Sequence, residues 1–272
     1  MPALIASHSA PVWGTPAALR YAAVRLVPAA IGVNALLSAV GLLLTRVFAA
    51  SGLEVADHQV SAWFARHRTP TLTTVTHVGT LLADTWTAIA LTAVVMLVLR
   101  LALRRWREAL TVLASILGEL WIFLGVTATV HRDRPAVPHL DPAPPTSSFP
   151  SGHTGAAVAV YVGLTVVLAS LVRRGDIRSR SGTAAVAVGS VLLCCVPVVV
   201  GLSRLYRGMH YLTDVLAGAI AGGVWMAVVV TVLLRLGPCW AGGRRRGGGP
   251  AWVRPIRGRS VVRDRSVRDR SV

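Results

Sequence analysis

The stretch SRLYRGMHYLTD (203–214) sets two arginines, a histidine and an aspartate between two long apolar runs. His210 and Asp214 stand four residues apart, so at the start of a helix they share one face. A carboxylate placed there accepts a ring N–H, fixes the tautomer and leaves the other ring nitrogen free to attack. A second polar island, FPSGHTG (149–155), puts Ser151 and Gly152 where another apolar run begins. Amides at a helix start lack intrahelical partners and bind anions, and glycine lets the backbone come close. His153, in the same island, is a second imidazole able to give a proton to a leaving oxygen. The third island, HRDRP (131–135), contributes Arg134, which with Arg204 offers planar donor forks suited to phosphate oxygens. Together these residue types describe a phosphate cradle with a nucleophile and an acid.

Each piece also has a plain reading. A lone arginine at a helix border snorkels or orients a span, as Arg46 or Arg207 would. An isolated SGH is an N-cap and a turn, and a single His–Asp pair at this spacing makes a structural hydrogen bond. Complementary chemistry at three islands favours the cradle, provided that the elements around them bring all three to one place.

Those elements are apolar. Hydrophobic residues make up 54% of the 272 and charged residues only 14%, well under the quarter usual in soluble domains. Six runs approach the roughly 20 residues a spanning helix needs: 27–45, 79–99, 109–130, 154–172, 183–203 and 215–234. The second holds Asp84 and the third Glu119, an intramembrane acid and a functional suspect, with structural burial beside Arg134 or another polar group as the alternative. Between the first two runs, Leu53, Ala56, Val60, Trp63 and Phe64 recur at helical spacing, which predicts a short interfacial helix on the outer surface. The expected fold class is all-α: a polytopic membrane bundle of six transmembrane helices. Its layout is a cytoplasmic N-terminal segment over 1–26, a membrane domain over 27–236 and an Arg-rich disordered cytoplasmic tail over 237–272.

All 28 basic residues are arginine, and no lysine occurs anywhere. The formal charge of +17 suggests nucleic acid, but the arginines flank apolar runs or crowd the tail. Membrane orientation and anionic headgroups fit that pattern, so no nucleic-acid partner is expected. With both termini in the cytoplasm, 21 arginines fall inside and 7 outside, which satisfies the positive-inside rule. All three polar islands then lie at the outer face of the cell membrane. The adjacent Cys194 and Cys195, with Cys239, form no disulfide framework.

At these residues the chain resembles the type-2 phosphatidic acid phosphatase (PAP2) superfamily. Its pattern is a lysine, six residues and Arg-Pro; then Pro-Ser-Gly-His; then Ser-Arg, five residues, His, three residues and Asp. PSGH matches at 150–153, and the third block matches in full at Ser203, Arg204, His210 and Asp214. The first matches only at Arg134 and Pro135, with Thr127 at the lysine position. Either Arg132 reaching the same oxygen or a hydrogen bond from Thr127 would replace the missing charge. The resemblance implies an integral-membrane hydrolase of lipid phosphates, with polyprenyl diphosphate, phosphatidic acid or phosphatidylglycerol phosphate as substrate classes. It implies that Arg134, Arg204 and the Ser151–Gly152 backbone hold the phosphoryl group while His210, oriented by Asp214, forms a phosphohistidine. His153 serves as acid, then base. No metal or other cofactor is implied, and the partners are the lipid phosphate and membrane lipids. A phosphotransferase with a hydroxyl acceptor, or a silent transporter or scaffold motivated by Thr127, are the alternatives.

Overall fold

Apolar runs punctuated by capping residues become helices throughout the computed structural model, which describes residues 15–49 and 51–235. The tail over 237–272, Cys239 and the first fourteen residues of the N-terminal segment lie outside the described residues. Helix α1 (Pro16–Leu42) opens with the Thr15 hydroxyl accepting from the Ala18 amide and proline in its first turn, then runs on through a wider turn at Leu43–Val47. It begins well before the expected start of the first span at Val27. Helix α2 (Gly52–Arg66) is capped by Ser51. Helix α3 (Pro70–Leu81) is capped by Thr69 and followed at once by α4 (Thr85–Leu97), capped by Asp84.

The end of α3 and the whole of α4 fall within the expected second span over 79–99, but α3 starts nine residues before it and the two helices are bent by 47° at the break between them. Asp84 explains the break: its carboxylate accepts from the Trp86 amide, so it starts a new helix instead of sitting inside an old one. The Tyr161 hydroxyl donates to the Leu82 carbonyl at 2.6 Å and satisfies a backbone group that the break frees.

Helix α5 (Trp106–Thr129) leads into a loop over 130–151. Next come α6 (Gly152–Ala157), a wide turn at Val158–Val162 and α7 (Gly163–Arg173), which together form one 22-residue rod. Helices α8 (Arg180–Tyr206, with Pro197 inside) and α9 (Leu212–Val229, prolonged by Val230–Arg235) complete the described chain. Five helices are long and apolar enough to cross a membrane, or six if the bent pair counts as one. The outer faces carry Trp86, Trp121, Val191, Leu192 and Ile220, all exposed, as expected where lipid is the solvent. The protein is an all-helical integral membrane protein.

Packing brings the three islands together. Helices α1, α5 and α9 share a core built on Ile122, Val126, Phe149, Trp225 and Val229. Helix α6 packs against both α8 and α9, and α3 lies along α8. The start of α6, the end of α8 and the start of α9 therefore meet at one end of the bundle, beneath the 130–151 loop. Helix α2 turns its polar side inward: Asp57 and Ser61 are buried while Leu53, Val55 and Trp63 stay exposed.

Candidate active site

A cavity of about 350 Å³ opens at that end, lined by Arg134, Gly152, His153, Arg204 and His210 among others. One residue set from each polar island thus reaches the same space. Along α4, α5 and α6 the walls become apolar, with Ala88 and Ile89 from α4, Ile116, Leu120 and Phe123 from α5 and Ala156 from α6.

The turn that delivers His210 depends on Gly208. Its φ of +74° lies in the left-handed region, and the amides of Gly208 and Met209 close back onto the carbonyls of Leu205 and Arg204. This is a glycine-terminated helix end. His210 follows, buried, with Nδ1 2.8 Å from the carbonyl oxygen of Ser148. A carbonyl only accepts, so Nδ1 carries the proton and Nε2 keeps its lone pair. Asp214 Oδ2 lies 3.8 Å from the same nitrogen, beyond hydrogen-bond reach. The expected Asp214 acceptor is therefore replaced by a backbone carbonyl, and Asp214 acts on the ring through its charge. Burial pushes the His210 pKa down, with Arg204 and Arg134 adding to the effect and Asp214 opposing it.

Asp214 is fully buried and its oxygens are fully engaged. Oδ1 accepts from Arg132 at 2.6 Å, and Oδ2 accepts from Ser148 Oγ at 2.6 Å and the Tyr211 amide at 2.9 Å. Arg132 does not line the cavity. Its other nitrogen pairs with Asp57 at 2.9 Å and Glu54 at 3.0 Å on α2, and its plane lies over the Tyr211 ring. Arg132 is thus committed to carboxylates and does not take the place of the missing lysine. Thr127 does not take it either, since its hydroxyl donates to the Leu124 carbonyl one turn back.

Two arginines face the cavity. Arg134 Nη1 donates to the Met209 carbonyl at 2.7 Å, and burial lowers its pKa against the pull of Asp214. Arg204 Nη1 donates to Thr80 Oγ1 at 3.0 Å and to Asp141 at 3.1 Å. The Nε–H of each is buried without an acceptor among the described residues, so neither guanidinium is saturated by protein. Asp141 also binds Arg207, at 2.5 Å. Burial works against the Asp141 charge, but Arg207 and Arg204 outweigh it and hold the carboxyl below its usual range. Arg207 is therefore a buried partner of Asp141 and not a snorkelling border residue.

Ser151 and Gly152 part company. The Ser151 amide donates to the Asp214 carbonyl at 3.0 Å and its Oγ accepts from Thr154 Oγ1. Ser151 is fully buried and does not line the cavity, so its amide is not free for an anion. Gly152 does line it, and a Cβ there would stand 2.8 Å from the Phe123 ring, so the absent side chain also makes room for α5. Among the described residues no group of three His, Cys, Asp or Glu side chains is arranged to hold a metal.

The sequence carried no sign of Asp57, Glu54 or Asp141 at this site. Their signal is electrostatic: Arg132, Arg204 and Arg207, buried near an apolar core, each require an anion.

A family model described as the PAP2 superfamily matches residues 88–238, a segment that contains every cavity-lining histidine and arginine named above. The chain belongs to the PAP2 superfamily. Over 75 residues it is 37% identical to phosphatidylglycerophosphatase B of Bacillus subtilis (strain 168), a match covering 28% of this chain and 34% of that protein. The chain thus spans about a third of the length of that curated relative. The crystal structure of the first transmembrane PAP2-type phosphatidylglycerolphosphate phosphatase, from Bacillus subtilis, superposes with a TM-score of 0.61. The match covers 72% of this chain and 93% of that one at 24% identity, a likeness of fold.

Proposed function

We propose that this protein is a membrane lipid phosphatase acting through a phosphohistidine. The observation that carries the reading is the Nδ1 bond of His210 to Ser148, which leaves Nε2 unprotonated beside a cavity shared with His153, Arg134 and Arg204. The two guanidinium groups and the α6 amide at Gly152 offset charge on the phosphoryl oxygens. Nε2 attacks phosphorus in line, forming a P–N bond as the P–O bond to the lipid breaks. His153 gives its proton to the departing lipid oxygen. It then takes one from water, whose oxygen displaces His210 and releases phosphate. Two fixed cations already supply the positive charge, so this scheme invokes no metal.

In this reading the bent α3–α4 pair is one span, making six, and α2 lies at the outer interface. The termini are cytoplasmic, the membrane domain runs over 27–236 and the site faces outward across the plasma membrane. The arginine distribution supports that orientation. The apolar walls of the cavity support a lipid substrate of the polyprenyl diphosphate, phosphatidic acid or phosphatidylglycerol phosphate class.

Phosphate release by purified protein tests the reading. His210→Ala, expressed and folded like wild type, abolishes turnover and an acid-labile phosphoprotein forms only when His210 is present. Wild-type turnover in His210→Ala refutes it.

A further inference from the structure

Glu119 lines the cavity and has no part in the reaction above. It is only 5% exposed, set on α5 among Ile116, Leu120 and Phe123. No hydrogen bond or ion pair from another described residue reaches its carboxyl. Keeping an unpartnered carboxyl inside an apolar bundle is costly, and such groups mark functional sites by default.

The structure also makes room for it. A Cβ on Gly155 would stand 1.9 Å from Glu119 Oε1, so the carboxyl seats against the α6 backbone only because residue 155 has no side chain. Gly155 lies three residues beyond Gly152, or about 4.5 Å further along the helix axis. Glu119 therefore sits one turn inward from the cationic end of the cavity. Beyond it the lining passes to Ile89 and Leu120, which are 52% and 47% exposed on the outer surface. A lipid with its phosphate at the arginines runs past Glu119 on its way to the bilayer.

We infer that Glu119 accepts a hydrogen bond from a free hydroxyl on the substrate, borne by the carbon next to the phosphate ester. The class so selected is a glycerol phosphate with its neighbouring hydroxyl unacylated. Phosphatidic acid is acylated at that carbon and a polyprenyl diphosphate has hydrocarbon there. The terminal glycerol phosphate of phosphatidylglycerol phosphate carries the hydroxyl. This inference rests on the phosphatase reading and narrows it.

The test compares kcat/KM of the purified full-length protein for 1-acyl lysophosphatidic acid and for its 2-deoxy counterpart with the same acyl chain. Wild type favours the hydroxylated lipid by at least about tenfold, because the lipid without it leaves the carboxyl unpaired. Glu119→Leu erases the preference by slowing the hydroxylated lipid alone. Glu119→Gln, which keeps the shape and a weaker acceptor, gives an intermediate preference and decides the matter if the leucine variant fails to fold. Either folded variant retaining the full wild-type preference overturns the inference, as does a folded variant that loses both substrates. Wild-type protein that turns over both lipids equally overturns this inference alone. Wild-type protein that turns over neither of these lipids, but does turn over phosphatidic acid, overturns this inference alone, and protein that releases phosphate from none of the three proposed substrate classes overturns the phosphatase reading with it.

Discussion

Ser148 holds the ring of His210 through its backbone, with Nδ1 2.8 Å from the carbonyl oxygen. The same residue donates its side-chain hydroxyl to Asp214 at 2.6 Å. One serine therefore fixes the tautomer and links the ring to the buried carboxylate, a division of labour different from a direct His–Asp pair.

A graded loss follows. In Asp214→Asn the Ser148 carbonyl still holds Nδ1–H, so the ring keeps this anchor while losing the nearby negative charge and one of the two oxygens that accept from Arg132, Ser148 and Tyr211. Turnover falls on the order of 10²-fold yet stays measurable, while His210→Ala falls to background. Initial rates of phosphate release from one lipid separate the two variants. Equal losses would show that the carboxylate holds the ring directly.

The pH profile has a definite sign. In the proposed mechanism the attacking form of His210 is neutral, and burial holds its pKa below the ordinary 6.5. As pH falls, kcat/KM therefore persists below 6.5 before the ring charges. Asp214 pulls this pKa upward, so Asp214→Asn moves the acid limb to still lower pH. Taking the difference between the two profiles removes the substrate's own titration. An acid limb that moves upward in the variant would overturn the assignment.

Asp57 belongs to the site without touching the cavity. It pairs with Arg132 at 2.9 Å, both side chains at most 5% exposed, and Arg132 in turn binds Asp214. Arg132 keeps Asp214 and Glu54, so Asp57→Ala removes one of its three carboxylates and destabilises the protein by about 1–3 kcal/mol. Thermal unfolding in detergent measures that loss, and Arg132→Met, which leaves buried Asp57 and Asp214 both without their cation, costs more.

Thr127 is the position where the chain departs from its family. Its hydroxyl serves only its own helix, so nothing in the site depends on it. Thr127→Lys maintains or raises kcat/KM, since it restores a cation able to extend along α5 toward the phosphate. A collapse of activity would mean that the threonine itself is part of the site.

Much of this arrangement was readable from spacing. The apolar runs marked the long helices, and the three polar islands held the arginines and histidines that line the cavity, because such residues at helix borders stand out against apolar sequence. Three features did not show. The bend at Asp84 is an N-cap inside an otherwise unbroken apolar run, and only its dihedral angles reveal it. The acceptor for His210 is a carbonyl, which every residue has, so no residue type announces it. The anchoring acids Glu54, Asp57 and Asp141 look like solvated surface charges until the fold buries their arginine partners. Ser151, by contrast, sits at its expected helix start, but its amide is claimed by Asp214. Local pattern identifies a helix terminus without telling whether it is free.

The bond between α2 and Arg132 has a consequence for biogenesis. Ribosomes deliver the chain in order, so Glu54 and Asp57 enter long before Arg132, and Arg132 before Asp214. Until Arg132 is made the early acids lack their counter-ion, and until α9 is inserted His210 lacks the charge of Asp214. A nascent chain halted before α9 should carry no phosphate-handling chemistry at all, which makes maturation of this protein an event of its final moments at the translocon.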